Sequence, residues 1–260
     1  MRYFDFNSRA TEVRGAATQA DGPATAPIHR VFYEEHKARI MLFGELTESV
    51  VFDLCEEIDL AKRYYRYPVV ELLIDSPGGS IAHLQYFLSR LEEWRRSPGF
   101  CLATVALTQA MSAAGIILAL GDIGHRRAYP NARILLHDAR IAPLRGMMID
   151  KRGLARIGRM LDSLDRNTLA CISRHIYHGK VCRETAVLGD EKTAYLHRKI
   201  PMFSRHGKQS WFHTSCPHLQ ERDLLRAYTK LQALDTPVPP EIALDSLLID
   251  RIETANQNPL

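Results

Sequence analysis

Ser112 and His137 are the residues of this chain whose types and settings suit covalent chemistry. Acyl transfer by a serine needs a hydroxyl, a base beside it and donors for the oxyanion. Ser112 opens the small apolar run Ser112-Ala-Ala-Gly-Ile-Ile-Leu. A serine there has its hydroxyl near a helix N-terminus, where the dipole favours negative charge. Ala110, Ala113 and Ala114 leave room for a substrate backbone. The competing reading is a helix-capping serine in a tightly packed helix. His137 closes the apolar run Ile134-Leu135-Leu136. A neutral imidazole there could take the serine proton and return it to a leaving amine; the competing reading is a satisfied structural histidine. Donors could come from Ile74-Asp-Ser-Pro-Gly-Gly-Ser80, a strand end that turns into a helix. Two glycines let the backbone take unusual torsions and let a ligand approach closely, and N–H groups at such a turn can cradle a developing charge. A carboxylate should fix the histidine tautomer, but spacing alone does not select it.

The elements that must position these residues are read from the hydrophobic pattern. Arg39–Phe43, Val69–Ile74 and Leu102–Leu107 read as strands. Thr47 caps a helix with Val50, Val51, Leu54, Ile58 and Ala61 on one face. Residues Ile81–Arg96 are again amphipathic and are broken by Ser97-Pro-Gly99. The uniformly small and apolar run Ala110–Leu120 predicts a buried helix, and two short strands flank the turn at Pro130-Asn131. Asp150 caps a long helix to about His175, with Leu154, Ile157, Leu161, Leu164 and Leu169 inward. A helix from Pro239-Pro240 leads to a short last strand ending at Ile252. Strands alternating with helices imply an α/β fold with parallel strands. Residues 1–30 read as a flexible arm rich in Ala, Thr, Gly and Pro. Residues 31–260 read as a single domain, with an irregular insertion at about 176–230.

The 260 residues are 46% hydrophobic, enough for a sizeable core, and the formal charge of +4 is mild. With no long Lys/Arg block, neither composition nor charge asks for a nucleic-acid partner. Five widely spread cysteines without a CxxC suggest free thiols in a reducing compartment. With no signal-peptide pattern and no long apolar span, the expectation is a soluble, cytoplasmic protein with no membrane partner. His213, Cys216 and His218 could be read as metal ligands, but no pair has a zinc-finger arrangement, and surface histidines are the preferred reading. No metal and no bound cofactor are expected.

Three blocks carry a family resemblance. Ile74-Asp-Ser-Pro-Gly-Gly-Ser80, Thr108-Gln-Ala-Met-Ser-Ala-Ala-Gly115 and Tyr129-Pro-Asn-Ala-Arg-Ile-Leu-Leu-His137 resemble the ordered blocks of the Clp protease proteolytic subunits. Arg39-Ile-Met-Leu-Phe-Gly44 and Pro240-Glu-Ile-Ala-Leu-Asp-Ser-Leu-Leu-Ile-Asp250 are similar to that family's early strand and C-terminal helix. The resemblance implies a crotonase-like ββα superhelix with a small parallel sheet and a long handle-like helix. It implies a serine peptidase with Ser112 as nucleophile, His137 as base and the N–H groups of Gly79 and Ala113 as oxyanion hole. Asp235, just before the Pro-Glu helix, is the implied third member, with Asp190 as its rival. The sequence departs from the pattern at Thr108, where the family often has glycine, and in the long segment 176–230.

The resemblance further implies stacked homo-oligomeric rings, heptameric in the family, that receive unfolded polypeptides from an AAA+ unfoldase. ATP would be used by that partner, and this chain has no GxxxxGK[ST] motif of its own. The alternative function is a catalytically inactive structural or regulatory ring subunit. An acyl-CoA enzyme on the same scaffold ranks below both, because it would have no use for Ser112 with His137.

Overall fold

A computed structural model describes residues 31–33, 37–63, 69–140, 150–181, 200–203, 209–212 and 220–253. The arm 1–30, Asp190, and His213, Cys216 and His218 lie outside these residues. The elements are β1 (Val31–Tyr33), β2 (Lys37–Phe43), α1 (Glu48–Arg63), β3 (Val69–Ser76), α2 (Ile81–Arg95), β4 (Cys101–Met111), α3 (Ala113–Ala119), β5 (Arg126–Ala128) and β6 (Arg133–Leu135). They continue with α4 (Lys151–Ile176), β7 (Ile200–Phe203), β8 (Gln209–Phe212), α5 (Glu221–Ala233), α6 (Pro240–Asp245) and β9 (Arg251–Ile252).

The main sheet runs β1-β2-β3-β4-β5-β9, with β6 also on β4. Only β1 is antiparallel to its neighbour; the other pairings are parallel. Parallel strands are buried on both faces, so they read as continuous apolar runs. In β3, Val70, Glu71, Leu72, Ile74 and Ser76 are all buried. Helices α1 and α2 lay Val50, Leu54, Ile58, Leu84, Phe87 and Trp94 into the core. Thr47 caps α1 as its position predicts, its Oγ1 accepting from Val50 N at 3.4 Å.

The predicted strands are all present, but β4 is longer than its sequence suggests. It runs through Met111, and the helix begins only at Ala113. Ala110 and Met111 pair with Ile134 and Leu135 of β6 instead of starting a helix turn. Between Ile74 and Ser76 the β3–β4 register shifts, so Ile74 faces Ala106 while Ser76 faces Ala110. Such an irregularity bends a strand and re-aims the residues at its end, and Ser112 stands at the end of β4. His137 likewise stands beyond its strand, since β6 ends at Leu135.

Asp150 caps α4 as expected, its Oδ1 accepting from Gly153 N at 2.6 Å. Leu169 of α4 is buried, whereas Leu154, expected inward, is 64% exposed. The 176–230 segment holds more order than its irregular sequence suggests. It contains a π turn at Tyr177–Val181, the β7–β8 antiparallel pair and most of α5. α5 buries Leu224, Ala227, Tyr228 and Leu231 on one helical face.

Glu71 of β3 is buried among cations. Arg39 Nε donates to its Oε2 at 2.6 Å, Lys37 lies 3.4 Å away and Arg127 bonds Oε1. Burial alone would raise this carboxyl above its ordinary value. The Arg39 hydrogen bond and the charges of Arg127, Lys37 and Arg39 outweigh that and hold it below 4.5. A carboxyl depressed in the fold stabilises it above 4.5, and that contribution is lost as pH falls through the folded value. Acid titration followed by circular dichroism should therefore show stability declining below about pH 4.5. Glu71→Gln, less stable at neutral pH, should flatten that acid limb.

Candidate active site

The β4-to-α3 junction is a sharp turn. Ser112 adopts φ 56° and ψ −126°, a region that non-glycine residues rarely occupy. The turn is held by Ser112 N donating to Leu135 O at 2.8 Å and by Ile116 N donating to Ser112 O at 3.2 Å. The Ser112 side chain makes no capping bond, so the helix-capping reading of this serine does not describe its hydroxyl.

Ser112 lies in a cleft of about 640 Å³ together with Gly78, Gly79, Ala113 and His137. The two glycines are forced by close approach. A Cβ on Gly78, whose φ is 93°, would meet Met111 O at 2.5 Å and Ser112 Cβ at 2.6 Å. One on Gly79 would meet Leu46 O at 2.6 Å. The flanking serines are turn residues: Ser76 Oγ accepts from Gly78 N at 3.1 Å, and Ser80 stands at the N-cap of α2. Thr108, the departure from the family's glycine, ties the serine block to the glycine block, its Oγ1 donating to Asp75 Oδ1 at 2.5 Å. Ala113 N–H opens α3, where no earlier turn supplies a carbonyl. Among the described residues, no turn bond uses the Gly79 N–H.

His137 is half-buried, and its Nδ1 lies 2.6 Å from Asp138 O. A carbonyl only accepts, so this contact suits a proton on Nδ1, which in the neutral ring leaves the lone pair on Nε2. A general base needs that tautomer. Asp235 is not among the cleft-lining residues. It sits exposed at φ 49°, with both carboxylate oxygens bonded by Arg140 Nη2.

Five polar residues of the cleft do not stand out in the sequence: Glu45, Arg140, Asp165 and Thr168 of α4, and Gln232 of α5. Asp165 Oδ1 accepts from Ala139 N at 2.9 Å and from Gln232 Nε2 at 3.3 Å, tying the segment after His137 to both helices. Burial pushes the Asp165 carboxyl above its ordinary value, against the pull of the Ala139 N–H, and Asp138 adds to the rise. A carboxylate beside Leu164 on the inward stripe of α4 was the available signal.

Cys55, Cys101 and Cys171 are free thiols. Burial pushes Cys55 up to about 12 and Cys101 to about 11, so neither offers a thiolate nucleophile at neutral pH. His175 Nε2 lies 2.8 Å from Gly121 O, away from Ser112. Among the described residues, no helix is long and apolar enough to cross a membrane.

The chain is similar in sequence to known proteins. The chain is 35% identical over 145 residues to the ATP-dependent Clp protease proteolytic subunit 2 of Corynebacterium jeikeium, covering 55% of this chain and 66% of that one. It is 37% identical over 125 residues to proteolytic subunit 1 of Rhodococcus jostii, covering 48% and 53%. With proteolytic subunit 3 of Nocardia farcinica it shares 41% identity over 112 residues, covering 43% and 47%. The chain thus spans between about half and two thirds of the length of these curated relatives. The model of the Clp protease family matches residues 26–178. That stretch holds β1 to β6 of the mostly parallel sheet, the Gly78-Gly79 turn, the Ser112 junction and His137. With it matched over more than half its length, the chain is a member of the Clp protease family and has that family's crotonase-like fold.

Proposed function

We propose that this protein is a serine endopeptidase, the proteolytic subunit of a cytoplasmic Clp-type protease that cuts unfolded polypeptides through an acyl-enzyme. The backbone at Ser112 carries this reading. A φ of 56° at a non-glycine residue costs about 1–3 kcal/mol, and a serine cap would not need it. Ser112 shares its cleft with the Gly78-Gly79 turn and His137.

In the proposed reaction, His137 Nε2 takes the Ser112 proton as Oγ attacks the substrate carbonyl. The carbonyl oxygen becomes an oxyanion facing the N–H groups of Gly79 and Ala113. His137 then gives its proton to the leaving amine, which departs and leaves the acyl-enzyme. Water, deprotonated by His137, hydrolyses the ester and regenerates Ser112. The Asp138 carbonyl holds the tautomer throughout, so Ser112 and His137 form a dyad. The subunit would assemble into stacked heptameric rings fed by an AAA+ unfoldase, in keeping with the names of its relatives as ATP-dependent Clp protease proteolytic subunits.

A second reading, an inactive structural or regulatory ring subunit, draws on Asp235. Asp235 is exposed, lies outside the cleft lining and pairs with Arg140, and this reading takes it to leave His137 without a carboxylate partner. Asp235→Asn separates a dyad from a triad, and the parent's own activity separates an active from an inactive subunit. The dyad leaves hydrolysis of a fluorogenic peptide within about threefold of the parent, because an exposed ion pair contributes little. A loss of about 10²-fold or more would place Asp235 behind His137 and remove the dyad. No hydrolysis by the parent protein, assembled with an unfoldase or alone, would favour the inactive subunit.

A further inference from the structure

The cleft beside Ser112 has one wall that chain connectivity does not announce. α4 contributes Asp165, Thr168 and Leu169, which at spacing i, i+3 and i+4 share one helix face. Gln232 joins them from α5, and Ile116 and Leu136 complete the recess. Its apolar members suit the stem of a long side chain; its polar members need a partner.

Thr168 is 5% exposed, and its Oγ1 is buried with no hydrogen-bond partner among the described residues. A buried hydroxyl left this way destabilises the fold unless water or a ligand completes it. Asp165 uses Oδ1 for both of its bonds, and Oδ2 has no partner among the described residues. The charges that act on Asp165 are the carboxylates of Asp138 and Asp162, which leave the spot short of cations. Arg140 also lines the cleft, but its guanidinium is engaged by Asp235. Gln232, 6% exposed, donates through Nε2 to Asp165 and leaves its amide oxygen as an acceptor. The recess therefore offers mostly acceptors: a carboxylate oxygen, a hydroxyl and an amide oxygen.

We propose that this recess is the binding site for a basic substrate side chain, Lys or Arg, on the residue whose carbonyl Ser112 attacks. The inference rests on the peptidase reading and names its substrate preference. The methylene stem would lie along Ile116, Leu136 and Leu169, and the cationic head would donate to Asp165 Oδ2 and Thr168 Oγ1. A leucine side chain would leave both unpartnered, and sites built for hydrogen bonds reject such ligands strongly.

The test uses the full chain and acetylated tripeptide coumarin amides that differ only in the last residue: Arg, Lys, Leu or Gln. Arg or Lys should exceed Leu in kcat/KM by at least about tenfold. That advantage should shrink to within about threefold in Asp165→Asn and in Thr168→Val, each confirmed as folded by its melting curve. Equal or better turnover of the Leu substrate, or a basic preference that neither variant moves, overturns the proposal. A binding arm separates it from the peptidase reading. Ser112→Ala protein is titrated with fluorescein-labelled tripeptides ending in Arg or Leu. An Arg preference without any fluorophosphonate labelling of the parent would sink the peptidase reading and keep the recess. Labelling at Ser112 with no Arg preference in either format would sink the recess and keep the peptidase.

Discussion

Replacing His137 by alanine should lower peptide hydrolysis about 10³-fold while leaving the melting temperature nearly unchanged. The two halves of this expectation come from different observations. The side chain is half-buried, and its one described bond is to the carbonyl of the adjacent residue, so removing it opens no core cavity. In the proposed reaction it carries the proton for both attack and leaving-group departure. In that reaction, transition-state stabilisation by the Gly79 and Ala113 N–H groups and by binding would remain after its loss, and would still exceed the rate in water. A drop that small structural damage could explain, about threefold with an equal fall in stability, would remove His137 from the mechanism. Steady-state hydrolysis of a fluorogenic peptide, with calorimetry on the same samples, reads both quantities.

Asp250→Ala should cost about 3–5 kcal/mol of stability, because it strands a buried charge. Arg126 is 0% exposed, and its Nε and Nη2 donate to Asp250 Oδ2 and Oδ1 at 2.9 and 2.8 Å. Asp250 Oδ2 also accepts from Gly124 N at 2.8 Å and Arg126 N at 3.2 Å. The pair therefore joins the start of β5 to the residue before β9 across 124 positions of sequence. The remaining Arg126 bond, from Nη1 to Ala119 O at 3.1 Å, cannot compensate a guanidinium out of water. Melting temperature should fall by about 10 °C. The paired change Arg126→Met with Asp250→Leu should recover much of the loss, since a neutral apolar pair needs no counter-charge. If Asp250→Ala costs less than about 1 kcal/mol, the pair behaves as a surface ion pair and the clamp does not exist.

What the sequence disclosed depended on whether local chemistry carried the signal. The Pro-Gly-Gly turn was legible because only glycine tolerates the approach of Met111 O and Leu46 O. Ser112 and His137 were legible because of the apolar runs that adjoin them. The strand-to-helix boundary was not, because Ala110 through Leu120 are small and apolar on every side, and both strand and helix bury such residues. Pairing of Ala110 with Ile134 of β6 decided it, and that is a long-range fact. The helix at Glu221–Ala233 did carry a helical period in Leu224, Ala227, Tyr228 and Leu231. The scattered His, Cys and aromatic residues before it made the whole region read as irregular. Asp235 was legible only through its offset from the Pro-Glu helix, and offset says nothing about the Arg140 guanidinium that holds it. Asp165, Thr168 and Gln232 were not legible as a group, since α4 and α5 bring them to Ser112 from far along the chain.

In the proposed reaction Ser112 is a nucleophile activated by His137. Fluorophosphonate labelling of the folded protein, with the modified residue located by peptide mass spectrometry, tests it most directly. The expected result is modification at Ser112 that disappears on denaturation and falls at least about 10²-fold in His137→Ala. No modification of Ser112 in the folded chain, or modification at an unchanged rate without His137, would contradict it.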